Sequence, residues 1–130
     1  MTGVDTSVLV RLFANDDRVQ SARAAKLVAS EDVFVTKTVL LETEWVLRFS
    51  YRLSPSAISD AFDGLLSAAS VTIEDVTAVR VAVAAHRAGM DFADALHVAS
   101  SLSATTFSTF DKKLARHAGR AKMPVPVAVL

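Results

Sequence analysis

No cysteine occurs among the 130 residues. That excludes a disulfide framework, a thiolate metal site and a cysteine nucleophile, and it suits a reducing compartment such as the cytoplasm. Glycine is scarce as well, four residues in all, and no GxxxxGK[ST], GxGxxG or GxSxG pattern is present. Phosphate-loop, dinucleotide-loop and serine-hydrolase readings therefore lose support. The three histidines, His86, His97 and His117, lack the close pairing of a zinc helix motif. Apolar runs such as VRVAVAAH fall short of the roughly 20 residues that span a bilayer. The chain reaches Asp5 at once, with no charged leader and apolar segment before it, so neither export nor a membrane location is expected.

Net charge is absent too, since 14 Lys and Arg balance 14 Asp and Glu. The whole-molecule field thus gives no argument for a nucleic-acid partner. The distribution says more: Lys112, Lys113, Arg116, Arg120 and Lys122 face only Asp111 in the last 20 residues, a local excess of +4 that leaves −4 on the remainder. A basic segment beside an isolated acid is suited to holding phosphates.

What the chain has in quantity is apolar side chains, 52% of residues, enough for one compact domain over residues 1–130. Short β-like runs alternate with longer helical periodicities. The pattern predicts strands near 3–4, 33–36, 71–74, 105–108 and 125–130. Helices are predicted near 7–15, 18–30, 38–51, 56–68, 78–88, 93–102 and 112–118. Ser54-Pro55 reads as a helix start, Gly89 as a helix end and Asp91 as an N-cap. This alternation implies an α/β fold with a parallel sheet and right-handed crossovers. Ligands gather at the carboxyl ends of such strands, where Asp5 and Asp111 fall.

Four acids stand where a folded protein has little structural use for one: Asp5, Glu42 in TVLLETEWVLRFS, Asp94 in DFADALHVAS, and Asp111 after ATTFSTF. Brought together, they would repel one another unless a divalent cation neutralised them. Glu42 is the strongest clue, because at about 100° per residue it falls among Val39, Trp45, Val46 and Phe49, the most continuously apolar sector of its helix. An ionised side chain buried there needs compensation. An internal ion pair with an arginine is the alternative. Glu44, on another side and one turn before Arg48, reads as an ordinary i,i+4 ion pair.

Each remaining acid has a simpler reading. Asp91 and Asp94 suit a capping box with dipole complementation, and Asp5 and Asp111 suit N-caps after strands. Capping and metal binding can share one residue. Thr109 can make a turn contact or orient Asp111 through its hydroxyl. Trp45 reads as core, His97 as a partly buried core histidine, and no aromatic base-stacking platform is expected.

VDTSVLVRL, LLETEWVLR, DFADALHVAS and STFDKKL, in this order, resemble the motifs of the PIN-domain family. More narrowly, they resemble the VapC toxins of bacterial type II toxin–antitoxin pairs, from Asp5 to about Leu114. The resemblance implies a three-layer α/β/α domain with a central parallel sheet. It implies a magnesium- or manganese-dependent endoribonuclease with Asp5, Glu42, Asp94 and Asp111 as its acids. By the same match, Asp91 is a further acid that holds a metal through water, and Thr109 is the hydroxyl residue before the fourth acid. Homodimers, a cognate antitoxin and an RNA substrate are implied as well. Hard carboxylates suit Mg²⁺ or Mn²⁺. Attack by activated water needs no ribose 2′-hydroxyl, so the expected ends are 5′-phosphate and 3′-hydroxyl. Lys112, Lys113 and Arg116 are the expected phosphate holders.

Two other classes compete. A phospho-accepting receiver domain also carries acids at strand ends, but it needs an acidic pair after its first strand and an acceptor Asp after a central one. Here Asp5 stands without such a pair, and Thr36 follows 33–35. A purely interacting domain would use these acids as caps and ion pairs, a reading that the position of Glu42 disfavours.

Overall fold

The computed structural model describes residues 1–130. The chain divides into two compact units, Met1–Glu74 and Asp75–Leu130.

The first unit is built from β1 (Thr2–Gly3), α1 (Thr6–Phe13), α2 (Arg18–Ser30), β2 (Val33–Val35), α3 (Lys37–Phe49), α4 (Pro55–Ser67) and β3 (Val71–Ile73). Its three strands lie in the order β1-β2-β3 and pair in parallel, with Gly3 opposite Phe34 and Phe34 opposite Thr72. Parallel neighbours cannot be joined by a tight hairpin, so two helices fill each connection. Every helix of this unit starts on a capping side chain. Asp5, Asp17, Thr36 and Ser54 accept from backbone N–H groups of the first turn, and Pro55 follows Ser54 at the position where its missing N–H is harmless. Val33, Val35, Leu40, Leu47, Ile58 and Phe62 are buried and form the core.

The second unit holds α5 (Val76–Arg87), α6 (Phe92–Ala99), β4 (Phe107–Thr109), α7 (Lys112–Arg120) and β5 (Val127–Val129). Strands β4 and β5 pair in parallel, Phe107 opposite Val127 and Thr109 opposite Val129, with α7 as the crossover. Helices α5 and α6 pack on each other, and both bury small residues, Ala78, Ala82 and Ala85 on one and Ala95 and Ala99 on the other. Small side chains let two backbones approach closely. The chain turns between these helices at Gly89, where φ is +103°, a conformation that glycine adopts without steric cost.

All pairings being parallel, with helices in every connection between paired strands, the protein has the α/β fold expected from its sequence. Helix ends differ by at most three residues from the sequence expectation, and both ends of α2 coincide with it. The largest difference is in α6, which stops at Ala99 rather than near Leu102. There the N–H of Ser100 bonds the Leu96 carbonyl, and the Ser101 hydroxyl takes the His97 carbonyl. Serine hydroxyls that compete for the last carbonyls favour such an end.

Two side-chain expectations are corrected. Trp45 is not a core residue: it is 55% exposed, and its neighbour Phe49 is 56% exposed. His97 is exposed on α6, whereas the buried histidine is His86, whose ring meets Phe92 edge-to-face with centroids 5.7 Å apart. No helix is long and apolar enough to cross a membrane.

Candidate functional site

In the first unit, Asp5 follows β1 and caps α1. Its Oδ1 accepts from the Ser7 N–H at 3.0 Å, the Ser7 hydroxyl at 2.6 Å and the Val8 N–H at 3.4 Å. The Ser7 hydroxyl, more than the backbone, holds the Asp5 carboxyl below its ordinary range, so the group is ionised at neutral pH. All three bonds fall on one oxygen, and Oδ2 accepts none. Asp5 can therefore cap a helix and still offer a charged oxygen to a cation.

Glu42 lies on α3, which packs on α1. The hydroxyl of Thr6, buried at the first turn of α1, donates a short hydrogen bond to Glu42 Oε1. This bond ties the second acid to the residue after the first. The reason Glu42 sits there differs from the sequence expectation. The buried stripe of α3 is Leu40, Thr43, Glu44 and Leu47, and the apolar sector that contains Glu42, Trp45 and Phe49 is the more exposed one. Glu44 is the buried acid, 2% exposed, and Arg48 pairs with it, Nε to Oε2 at 2.9 Å and NH2 to Oε1 at 3.2 Å. The i,i+4 pair expected from sequence is present, with its carboxylate buried and its guanidinium partly exposed. Glu42 makes no ion pair and keeps Oε2 uncommitted, so it is the glutamate of this helix that is open to a ligand.

In the second unit, Asp91 caps α6 by accepting from the Asp94 N–H at 3.1 Å. The capping reading of Asp91 thus holds, and it sets the backbone that carries Asp94 one turn into the helix. Asp111 follows β4 and caps α7, its Oδ1 accepting from Lys113 N–H at 2.9 Å and Leu114 N–H at 3.1 Å, with no bond on Oδ2. Thr109 Oγ1 accepts from the Asp111 N–H at 2.9 Å, a turn contact that positions this acid. The Asp94 carboxyl is pushed above its ordinary value, first by burial, then by the negative charges of Asp91 and Asp111, and His97 and His117 offset only part of this. Asp94 therefore feels the charge of both Asp91 and Asp111. Lys112, Lys113 and Arg116 are exposed on the first two turns of α7 and make no ion pair.

Each unit assembles its own share of the expected residues, Asp5 with Glu42 in one and Asp91, Asp94 and Asp111 in the other. Within neither unit do three His, Asp or Glu side chains form a group that could hold a metal ion by itself. The donor set nonetheless fits a hard divalent cation. Asp5, Glu42 and Asp111 each keep an uncommitted carboxylate oxygen, and the Asp94 carboxyl is raised first by burial and then by the charges of Asp91 and Asp111. Sequence reasoning missed two supporting residues, Thr6 and Ser7, which adjoin Asp5 and fix the Glu42 and Asp5 carboxylates. The DTS triplet was the available signal, since hydroxyls one and two residues after an acid are placed to bond it or its neighbours.

No curated protein and no solved structure matches the chain significantly. The family model described as PIN domain matches residues 4–120, a span that contains every acid described above. The chain belongs to the PIN domain family and has its nuclease-type fold.

Proposed function

We propose that the protein is a metal-dependent endoribonuclease of the VapC-like toxin type, acting as a single domain in the cytoplasm as a homodimer restrained by a cognate antitoxin. Family membership supports nuclease chemistry. The observation that carries the reading is the treatment of the two glutamates on α3: Arg48 pairs with the buried Glu44, whereas Glu42 is held by a neutral hydroxyl, makes no ion pair and keeps one carboxylate oxygen for a cation.

In this reading, Asp5, Glu42, Asp94 and Asp111 bind Mg²⁺ or Mn²⁺, and Asp91 assists through water. When bound, the cation supplies a Lewis acid for the phosphodiester and lowers the pKa of water. The chain's own residues do the rest. Thr6 orients Glu42, Ser7 keeps Asp5 ionised, and Thr109 sets the approach of Asp111. Lys112, Lys113 and Arg116 hold substrate phosphates as point charges. Water attacks phosphorus, the P–O3′ bond breaks, and the leaving oxygen takes a proton, giving 5′-phosphate and 3′-hydroxyl ends.

Expression in a bacterium without an antitoxin tests the toxin assignment. Growth arrest is expected with the parent, and Asp5→Ala or Glu42→Gln should relieve it while soluble protein accumulates. Glu42→Gln removes the charge and nearly preserves the volume. A receiver or inert interaction domain would leave growth unaffected in every case, and arrest by a folded Glu42→Gln protein contradicts the role given to Glu42.

A further inference from the structure

A groove of about 280 Å³ lies between α1 and α2 in the first unit, and neither the family match nor the four acids accounts for it. Its apolar side is formed by Val8, Ala24 and Leu27, of which Ala24 is buried and the others half-buried. Its polar side carries two guanidinium groups, Arg11 and Arg23. Arg11 is held on one edge: Nε donates to Gln20 Oε1 at 2.7 Å, and NH1 donates to Asp16 Oδ1 at 2.8 Å and to the Tyr51 hydroxyl at 3.0 Å. Its NH2 donors are uncommitted. Arg23 is exposed and makes no hydrogen bond or ion pair. An apolar wall beside two arginine donors suits a nucleobase with an attached phosphate, because guanidinium groups bind phosphate through paired donors.

Two observations identify the occupant. The groove begins at Ser7, whose hydroxyl bonds Asp5 Oδ1 at 2.6 Å, so whatever fills it adjoins a candidate metal ligand. Its volume lies just below the range of small-ligand pockets, room for one base and too little for a helix about 10 Å across. Resting on the ribonuclease reading, we propose that this groove is a subsite for single-stranded RNA. It takes the nucleotide next to the scissile phosphate, with the base on Val8, Ala24 and Leu27 and the phosphate on Arg11 and Arg23. It contributes to substrate selection by apolar contact and charge rather than by reading base edges.

The test uses full-length Asp94→Asn protein, which leaves the RNA uncut, and a fluorescein-labelled single-stranded RNA 12-mer followed by anisotropy across KCl concentrations. Adding Arg23→Ala should weaken binding about tenfold and lower the slope of log K against log[KCl] by about 0.7, the loss of one phosphate contact. Arg18→Ala, the same charge change on α2 outside the groove, should do neither. Amide resonances of Ser7, Val8, Ala24 and Leu27 should move on adding the RNA. Equal effects of Arg23→Ala and Arg18→Ala overturn the proposal. So do groove amides that respond to a glutamate-rich peptide but not to RNA. If the parent cleaves RNA while Arg23→Ala behaves as Arg18→Ala, the subsite fails and the nuclease reading stands. If the parent cleaves no RNA yet the groove responds as described, the nuclease reading fails instead.

Discussion

Glu42 and Glu44 show how two identical side chains, two residues apart, acquire different chemistry from their surroundings. Glu44 is enclosed and paired with Arg48, so removal of its carboxylate takes the opposite charge from a half-buried guanidinium and empties part of the core. Glu44→Ala should cost about 2 kcal/mol in urea denaturation, less than a fully buried pair because Arg48 is partly solvated. Glu42→Gln should change stability by only a few tenths, because its single partner is a hydroxyl that an amide oxygen can also accept from. Asp94 gives the pH dependence. Its carboxyl is raised in the folded state, so the native protein binds that proton more tightly than the unfolded chain does. The resulting stabilisation is complete below the ordinary carboxylate value and is lost as pH rises through the folded one. Asp94→Asn cannot lose a proton, so at pH 7 without metal it should melt above the parent, and the gap should close as pH falls toward about 4. Mg²⁺ should then raise the melting temperature of the parent more than that of the variant. Equal shifts would make Asp94 a helix residue and nothing more.

At the scale of elements, the acids proposed to hold the cation are also structural, and the two roles can be separated. Asparagine caps a helix about as well as aspartate but is a poorer ligand for a hard cation. Asp111→Asn should therefore keep α7 in place and leave stability nearly unchanged, while Asp111→Ala should cost about 1 kcal/mol. Both should lose cleavage alike; a cleavage-competent Asp111→Asn protein would reduce this residue to a cap. Capping is also why so much of the fold was legible in the sequence. Asp5, Ser54, Asp91 and Asp111 each announced a helix start, and apolar periodicity filled in the rest. Periodicity could not say which apolar sector of α3 is inside. Trp45, Val46 and Phe49 are larger and more apolar than Thr43 and Glu44, yet the latter pair is buried, because Arg48 compensates Glu44. The same sector argument singled out Glu42 on a wrong premise, burial: the side chain is exposed, and its bond to Thr6 is what distinguishes it from Glu44.

For the whole molecule, zero net charge conceals a division of labour that the sequence already displayed. Asp5 and Asp111 follow strands, Asp94 lies in the first turn of α6 and Glu42 one turn further into α3, and the uncommitted cations Lys112, Lys113 and Arg116 crowd one short helix next to Asp111. Distances between such residues were not legible, because local pattern fixes elements and caps, whereas the meeting of Thr6 with Glu42 depends on how α1 packs on α3. The central claim is that carboxylates from distant parts of the chain serve one metal-dependent reaction on RNA. The most direct measurement incubates purified protein with a defined RNA in Mg²⁺ or Mn²⁺, in EDTA, and as Glu42→Gln, and maps the ends formed. Cleavage to 5′-phosphate and 3′-hydroxyl ends is expected with metal, none with EDTA, and at least a hundredfold less with Glu42→Gln, on the order of the loss that follows removal of a catalytic carboxylate. Cleavage that survives EDTA, or that proceeds undiminished in a folded Glu42→Gln protein, would contradict the account.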